Sequence, residues 1–183
     1  MTRLVLPMII ALVVLVARAA VDDPPASQPA DTPCLLHAHA HNDYYHDRPL
    51  LDALDHGFCS IEADIFAVDG ELMVAHDPHE ITPERTLRSL YLDPLLQRER
   101  EHGGRVYPTS SETVYLLIDF KSGPQETWPI LQAQLAEYEE MLTVFTEGGI
   151  DYGAVTVLLS GASPREAIEA LPRRLAAIDG RLP

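Results

Sequence analysis

Basic residues are scarce in this chain. Thirteen lysines and arginines stand against 28 aspartates and glutamates, a formal net charge of −15 over 183 residues. A nucleic-acid binder needs a basic footprint, and electrostatic docking on anionic lipid needs one too. The composition argues against both. An anionic small molecule would have to be drawn in by a local cation, against the field of the whole chain. Long apolar runs are lacking as well. The longest candidate, Leu4 to Val16, is 13 residues and is broken by Pro7, whereas a spanning helix needs about 20. With Arg3 before it and Ala17-Arg18-Ala19 after it, the run reads as a secretory signal peptide over residues 1–19. The expected location is therefore outside the cytoplasm, secreted or periplasmic, with an uncleaved anchor as the alternative. Cysteine is rare too: Cys34 and Cys59 are the only two. Each precedes an expected strand, so an oxidising compartment can pair them. Two buried free thiols are the other reading, and the sequence leaves both open.

Hydrophobic residues make up 46% of the chain, enough to exclude disorder by composition. The length suits one domain. Residues 20–33 are rich in proline and without apolar periodicity, as in a stiff linker, so the folded domain is expected over residues 34–183. No repeat of fixed period is present. Within the domain, strand and helix patterns alternate. Leu35 to His41 reads as a strand, and Pro49 to His56 as a helix closed by Gly57. Phe58 to Phe66 and Glu71 to His76 read as strands joined by an Asp69-Gly70 hairpin turn. Asp93-Pro94 offers an N-cap and a first-turn proline for a helix ending at Gly103-Gly104. Thr113 to Phe120 is an apolar strand, and Trp128, Leu131, Leu135, Tyr138 and Leu142 recur at helical spacing. Ala154 to Leu159 is another strand, Ser163 to Glu166 a capping box with proline at the first helical position, and Ala176 to Ile178 the start of one more strand. Near-continuous apolar strands separated by helices predict an α/β fold whose parallel sheet is covered on both faces. A (β/α)8 TIM-type barrel takes about 250 residues and about 150 are at hand, so the expectation is a barrel truncated to its N-terminal four or five βα units.

Chemistry-bearing residues cluster at the ends of those strands. The first ends in His37, His39 and His41, followed by Asn42. On a strand, alternate residues share a face, so the three imidazoles are expected to point one way. The second carries Glu62 and Asp64 on one face. Two such carboxylates repel unless a cation lies between them, and a hard ion such as Mg²⁺ or Ca²⁺ favours oxygen ligands of this kind. The hairpin delivers His76-Asp77, and a later strand ends in Asp119-Phe120-Lys121. In a parallel barrel the C-terminal strand ends form the active-site rim. Each of these pieces alone is common on ordinary surfaces; their order and joint placement make the case.

The segments HAHNDY, RPLLDAL, GFCSIEADIFAVDGELMVAHD, LYLDPL and LIDFKSG resemble the phospholipase C-like phosphodiesterase superfamily. That superfamily includes glycerophosphodiester phosphodiesterases, phosphatidylinositol phospholipases C and sphingomyelinase D. The resemblance is strongest to the branch named altered inheritance of mitochondria protein 6, and it runs from about His39 to Gly161. It implies a TIM barrel and a metal-dependent phosphoric diester hydrolase of lipid metabolism. Its substrate would be a small-molecule or lipid phosphodiester, phospholipid-derived or of glycerophosphodiester type. His41 resembles the first catalytic histidine and His76 the second. Glu62, Asp64 and Asp119 resemble the metal ligands. Asn42 stands where the eukaryotic phosphatidylinositol enzymes place a calcium-binding asparagine, and Lys121 resembles a phosphate-contacting lysine. Two positions depart from the glycerophosphodiesterase pattern, Asn42 in place of arginine and Asp119 in place of glutamate.

On this reading the cation, Mg²⁺ or Ca²⁺, stabilises charge on a phosphate oxygen. His41 deprotonates the nucleophile and His76 protonates the leaving oxygen, while Lys121 holds a second phosphate oxygen. One rival takes the H-x-H spacing of His37, His39 and His41 as the zinc pair of an amidohydrolase; it leaves Glu62, Asp64, Asp119 and Lys121 without roles. A second rival is a non-catalytic piece of such a barrel. His46, His56, His79 and His102 are assigned no role, and Tyr44 and Tyr45 are placed at the pocket mouth.

Overall fold

The computed structural model describes residues 34–180; the expected signal peptide and linker lie outside them. The main sheet has five strands, β1 (Ser60–Val68), β2 (Glu71–Val74), β3 (Val114–Phe120), β6 (Val155–Gly161) and β8 (Ala176–Ile178), in the order β2-β1-β3-β6-β8. The pairings β1–β3, β3–β6 and β6–β8 are parallel, and only the β1–β2 hairpin is antiparallel. That hairpin turns on Asp69 and Gly70 with φ of 50° and 86°, both in the left-handed region that a tight two-residue turn requires.

The segment before β1 is not the regular strand expected. It touches its neighbour through two isolated parallel bridges, Leu35 to Phe58 and Ala40 to Ile61, on the β1 edge that β2 also uses. The three histidines therefore do not share one strand face. Cys34 and Cys59 are joined by a disulfide that pins this segment to the start of β1, with Cα atoms 5.7 Å apart.

One face of the sheet is fully packed. Ile61, Ala63, Ile65, Val114, Leu116, Ile118, Val155, Val157 and Leu159 are all buried in a single core with side chains from the helices. Those helices include α1 (Leu51–Asp55), α2 (Asp93–Glu101) and α3 (Pro124–Glu137); α3 packs across β1 and β2. The other face carries Glu62, Phe66, Leu117, Asp119, Leu158 and Ser160, all half-buried, Tyr115, which is exposed, and the buried polar residues Asp64 and Thr156. The expectation of cover on both faces is not met: among the described residues the alternation of buried and half-open positions marks one packed face and one open face.

Three local expectations also change. The Asp93 side chain caps no helix, because a π-helical turn, Arg88–Leu92, runs directly into α2; the carboxylate instead accepts from the Tyr138 hydroxyl at 2.5 Å. The Ser163 capping box does not form, and α4 (Arg165–Glu169) begins after Pro164 without a side-chain cap. A second, antiparallel sheet of order β5-β4-β7, built from β4 (Val144–Thr146), β5 (Gly149–Asp151) and β7 (Arg173–Arg174), had no counterpart in the periodicity. Its strands are too short to show any. No helix among the described residues is long and apolar enough to cross a membrane.

The disulfide closes a loop with a sequence separation of 25. In the chain-entropy account a loop of this size contributes roughly 3 kcal/mol. Cys34→Ser should accordingly lower Tm by roughly 10 °C. In thermal melts, added reductant should shift the wild-type protein by a similar amount and leave the variant unmoved.

Candidate active site

The open face presents its polar residues at the C-terminal end of the parallel strands because of the register. Asp64 of β1 lies opposite Asp119 of β3, and Asp119 opposite Ser160 of β6. One strand step earlier the same face shows Glu62, Leu117 and Leu158. Two carboxylates thus stand side by side on adjacent strands, a costly arrangement unless positive charge or hydrogen bonds compensate.

The compensation converges on Asp64, whose side chain is 1% exposed. Its Oδ2 accepts from the Tyr44 hydroxyl at 2.7 Å, lies 2.9 Å from His76 Nδ1 and 3.0 Å from Lys121 Nζ. Lys121 also meets Asp119 Oδ2 at 2.7 Å, so its ammonium bridges the two acids. Burial alone would lower the Lys121 pKa, but the bonds and charges of Asp119 and Asp64 outweigh it and hold the amine above its ordinary value. The other oxygen of Asp119 accepts from Ser160 Oγ at 2.7 Å.

His41 sits at the rim with its side chain 70% exposed, its Nε2 3.4 Å from Glu62 Oε2. Next to it Asn42 adopts a left-handed conformation, φ 52°, that turns its backbone N–H onto Glu62 Oε2 at 3.0 Å. Asn42 then opens the 3-10 turn Asp43–Tyr45, which swings Tyr44 inward. Asp43 anchors that turn. It is fully buried, and its Oδ2 accepts from Leu50 N–H at 2.5 Å and from the Tyr91 hydroxyl at 3.0 Å. Burial pushes the Asp43 pKa up, against the pull of those two donors. His76, half-exposed, follows β2, and its backbone N–H donates to Glu80 Oε2 at 3.1 Å.

Of the expected site residues, His76, Asp64, Lys121 and Asp119 are joined by direct polar contacts; His41, Glu62 and Asn42 form a second group that meets the first through the Tyr44 hydroxyl between Asn42 and Asp64. Glu62, Asp64 and Asp119 do not close into one cluster of ligand atoms. Among the described residues the group whose ligand atoms lie within 4.8 Å of one another is Asp77, His79 and Glu80. That group is a helix-capping arrangement: Glu80 accepts from the backbone N–H groups of His76 and Asp77 and from the Tyr45 hydroxyl. The rival H-x-H reading gains no ligand cluster among the described residues either: His39 Nδ1 lies 2.8 Å from Ser60 Oγ while His41 Nε2 faces Glu62.

Glu62, Asp64 and Asp119 carry the oxygen ligands that hard divalent ions take, and Asp64 Oδ1 is buried with no hydrogen-bond partner, a position that normally demands one; the groups that touch Asp64 Oδ2 are a phenol, an imidazole and an ammonium. The residues that sequence reasoning missed are Tyr44, Ser160 and Gly161. Tyr44 is not at the mouth but buried, 2% exposed. Tyr45 is the exposed one of the two. Ser160 and Gly161 are adjacent, and a polar residue followed by glycine at the end of an apolar strand was the available signal. Gly161 has φ 65°, and a Cβ there would stand 2.7 Å from Asp119 Oδ1. Gly161→Ala should therefore cost at least ~1 kcal/mol in urea denaturation, with Asp119 displaced from Lys121.

The comparisons with known proteins fall on the same stretch. Residues 31–175 match the family described as AIM6-like phosphodiesterase domain. The chain is similar to the altered inheritance of mitochondria protein 6 homolog of Arthroderma benhamiae, 34% identical over 167 residues that cover 79% of this chain and 52% of that protein. It is similar to altered inheritance of mitochondria protein 6 of Lachancea thermotolerans, 37% identical over 147 residues, 70% of this chain and 34% of the relative. To the Kluyveromyces lactis protein of the same name it is 30% identical over 165 residues, 73% of this chain and 39% of the relative. The chain thus spans about half the length of these relatives or less. No solved structure matches it significantly. The match covers both β1 and β3 with the acids they carry and the turn that holds His41, and on that ground the chain belongs to the AIM6-like phosphodiesterase domain family.

Proposed function

We propose that this domain serves a metal-dependent phosphoric diester hydrolase of the phospholipase C-like kind, acting on a phospholipid-derived or glycerophosphodiester-type substrate. The observation that carries the proposal is the state of Asp64: a buried carboxylate with one oxygen saturated by Tyr44, His76 and Lys121 and the other left without a partner. Asp43 Oδ1 and Asp55 Oδ1 also lack partners; what distinguishes Asp64 is its place at the strand ends opposite Asp119, with His76 and Lys121 on its other oxygen. A divalent cation, Mg²⁺ or Ca²⁺, held by Glu62, Asp64, Asp119 and Asn42, would supply Lewis-acid stabilisation of charge on the phosphate.

The protein side chains divide the remaining work. Lys121 has three ammonium donors. Asp64 and Asp119 take two, and the third is free to hold a phosphate oxygen in place. His76 spends Nδ1 on Asp64, so Nε2 is the atom left to exchange a proton with the leaving oxygen. His41, exposed beside Glu62, is the base that takes the proton of the nucleophile, either water or a neighbouring hydroxyl of the substrate. The barrel reading draws support from strand order. The bridged segment at Leu35–Ala40, then β1, β3, β6 and β8, run parallel in chain order, as in the first units of a (β/α)8 barrel. An exported location is supported by the Arg3-to-Ala19 pattern and by a disulfide, which persists in oxidising compartments.

Two measurements on the full chain test this reading. Titration calorimetry with Mg²⁺ and Ca²⁺ should detect binding of one of them, and Asp64→Asn should weaken it at least tenfold; unchanged affinity for both ions removes the metal. Hydrolysis of bis-p-nitrophenyl phosphate should fall by two orders of magnitude or more in His41→Ala, in line with loss of a general base. A loss under threefold rejects that role.

A further inference from the structure

The Tyr44 hydroxyl sits at the one point where three parts of the site meet. It is 2.7 Å from Asp64 Oδ2, 2.8 Å from Asn42 Oδ1 and 3.1 Å from His76 Nδ1. A phenol has one proton to donate and lone pairs to accept with, so the three contacts cannot all be donations. Asp64 is the anionic acceptor and the nearest, and charge-assisted bonds of this type are about twice as strong as neutral ones; the hydroxyl proton belongs to it. The other two neighbours must then donate to Tyr44. For His76 this requires a hydrogen on Nδ1, shared between Asp64 Oδ2 and the phenol oxygen. For Asn42 it requires the amide nitrogen, not the oxygen, to face Tyr44, an exchange that leaves the heavy-atom positions nearly unchanged.

We propose that Tyr44 is a positioning residue that completes, beside Asp64, the pair of acceptors holding His76 as its Nδ1–H tautomer, so that Nε2 is the proton-exchanging atom, and that turns the Asn42 carbonyl oxygen away from itself. The role rests on the hydrolase reading for its consequence in catalysis, but not for its geometry. The ring of Tyr44 contributes packing and its hydroxyl contributes the orientation. Tyr44→Phe therefore separates the two: it keeps the ring and removes the oxygen that accepts from His76 and Asn42 and donates to Asp64.

The test uses the full chain labelled with ¹⁵N at histidine, His76 being assigned by the signal lost in His76→Gln. Two-bond ¹H–¹⁵N correlation at a pH where the ring is neutral should show His76 in wild type as the Nδ1–H tautomer. In Tyr44→Phe it should show a mixture of tautomers, with Tm within about 3 °C of wild type. On bis-p-nitrophenyl phosphate the variant should lose at least tenfold in kcat with KM within threefold, the signature of a misplaced proton carrier and not of lost binding. A wild-type Nε2–H tautomer overturns the proposal, and so does a variant that keeps both the wild-type tautomer and kcat within twofold. If wild type does not cleave the probe, the hydrolase reading fails on its own and the spectra still decide the role of Tyr44. If the variant does not fold, the wild type decides by a nuclear Overhauser contact between the His76 Nδ1 proton and the Tyr44 ring: its presence supports the shared proton and its absence overturns the proposal.

Discussion

One buried carboxylate organises this site. Desolvating an acid is expensive, and Asp64 is buried on the open face of a sheet in a chain with a large negative charge. What keeps it there is a set of three donors from three different elements: Tyr44 from the 3-10 turn, His76 from the end of β2 and Lys121 from just past β3. Each donor reaches Asp64 only if its own element is in register. The cost of leaving the acid unpaired thus couples the hairpin, the parallel pairing and the turn after the bridged segment. Removing the acid would release two cationic or imidazole groups and a phenol at once, which is why its effects are not those of a single contact.

The parallel register supplies the second constraint. Because Asp64, Asp119 and Ser160 are aligned across three strands, a slip of one residue in either pairing would carry an acid to the packed face among Ile61, Ile118 and Leu159. The apolar residues of that face specify the register, and the site is read out from the alternate positions at no extra design. Gly161 completes the alignment by leaving room for Asp119 where any side chain would collide.

Much of this was legible beforehand, and for physical reasons. The hairpin at Asp69-Gly70, the strands at β1, β3 and β6, and the placement of Glu62, Asp64, Asp119 and Lys121 on shared faces follow from period-two alternation and turn chemistry. What failed were inferences that need tertiary partners. The stretch before β1 has strand-like residues but only two bridges, because β2 takes the rest of the edge it would have used. Asp93 and Ser163 carry capping chemistry that the backbone does not use, since one helix begins a turn earlier and the other a residue later. Tyr44 was read as a rim aromatic because its burial depends on Asn42 adopting a left-handed conformation, which no periodicity announces. The small sheet of β4, β5 and β7 lies below the length at which alternation can be recognised.

The local charge balance gives the last step. Glu62, Asp64 and Asp119 bring three carboxylates to one end of the sheet, and among the described residues Lys121 is the only lysine or arginine side chain bonded to any of them. A phosphodiester is itself an anion, and the chain as a whole repels it. As it stands, the group is better suited to bind a cation than an anion. An acidic group of this kind can serve a phosphate substrate only if positive charge is added at the same point, and the unpartnered Asp64 Oδ1 is where an added cation would find an oxygen not already committed. The acidity of the site and the proposed chemistry are therefore compatible only through an ion. This makes metal binding a more demanding test of the functional reading than the presence of either histidine.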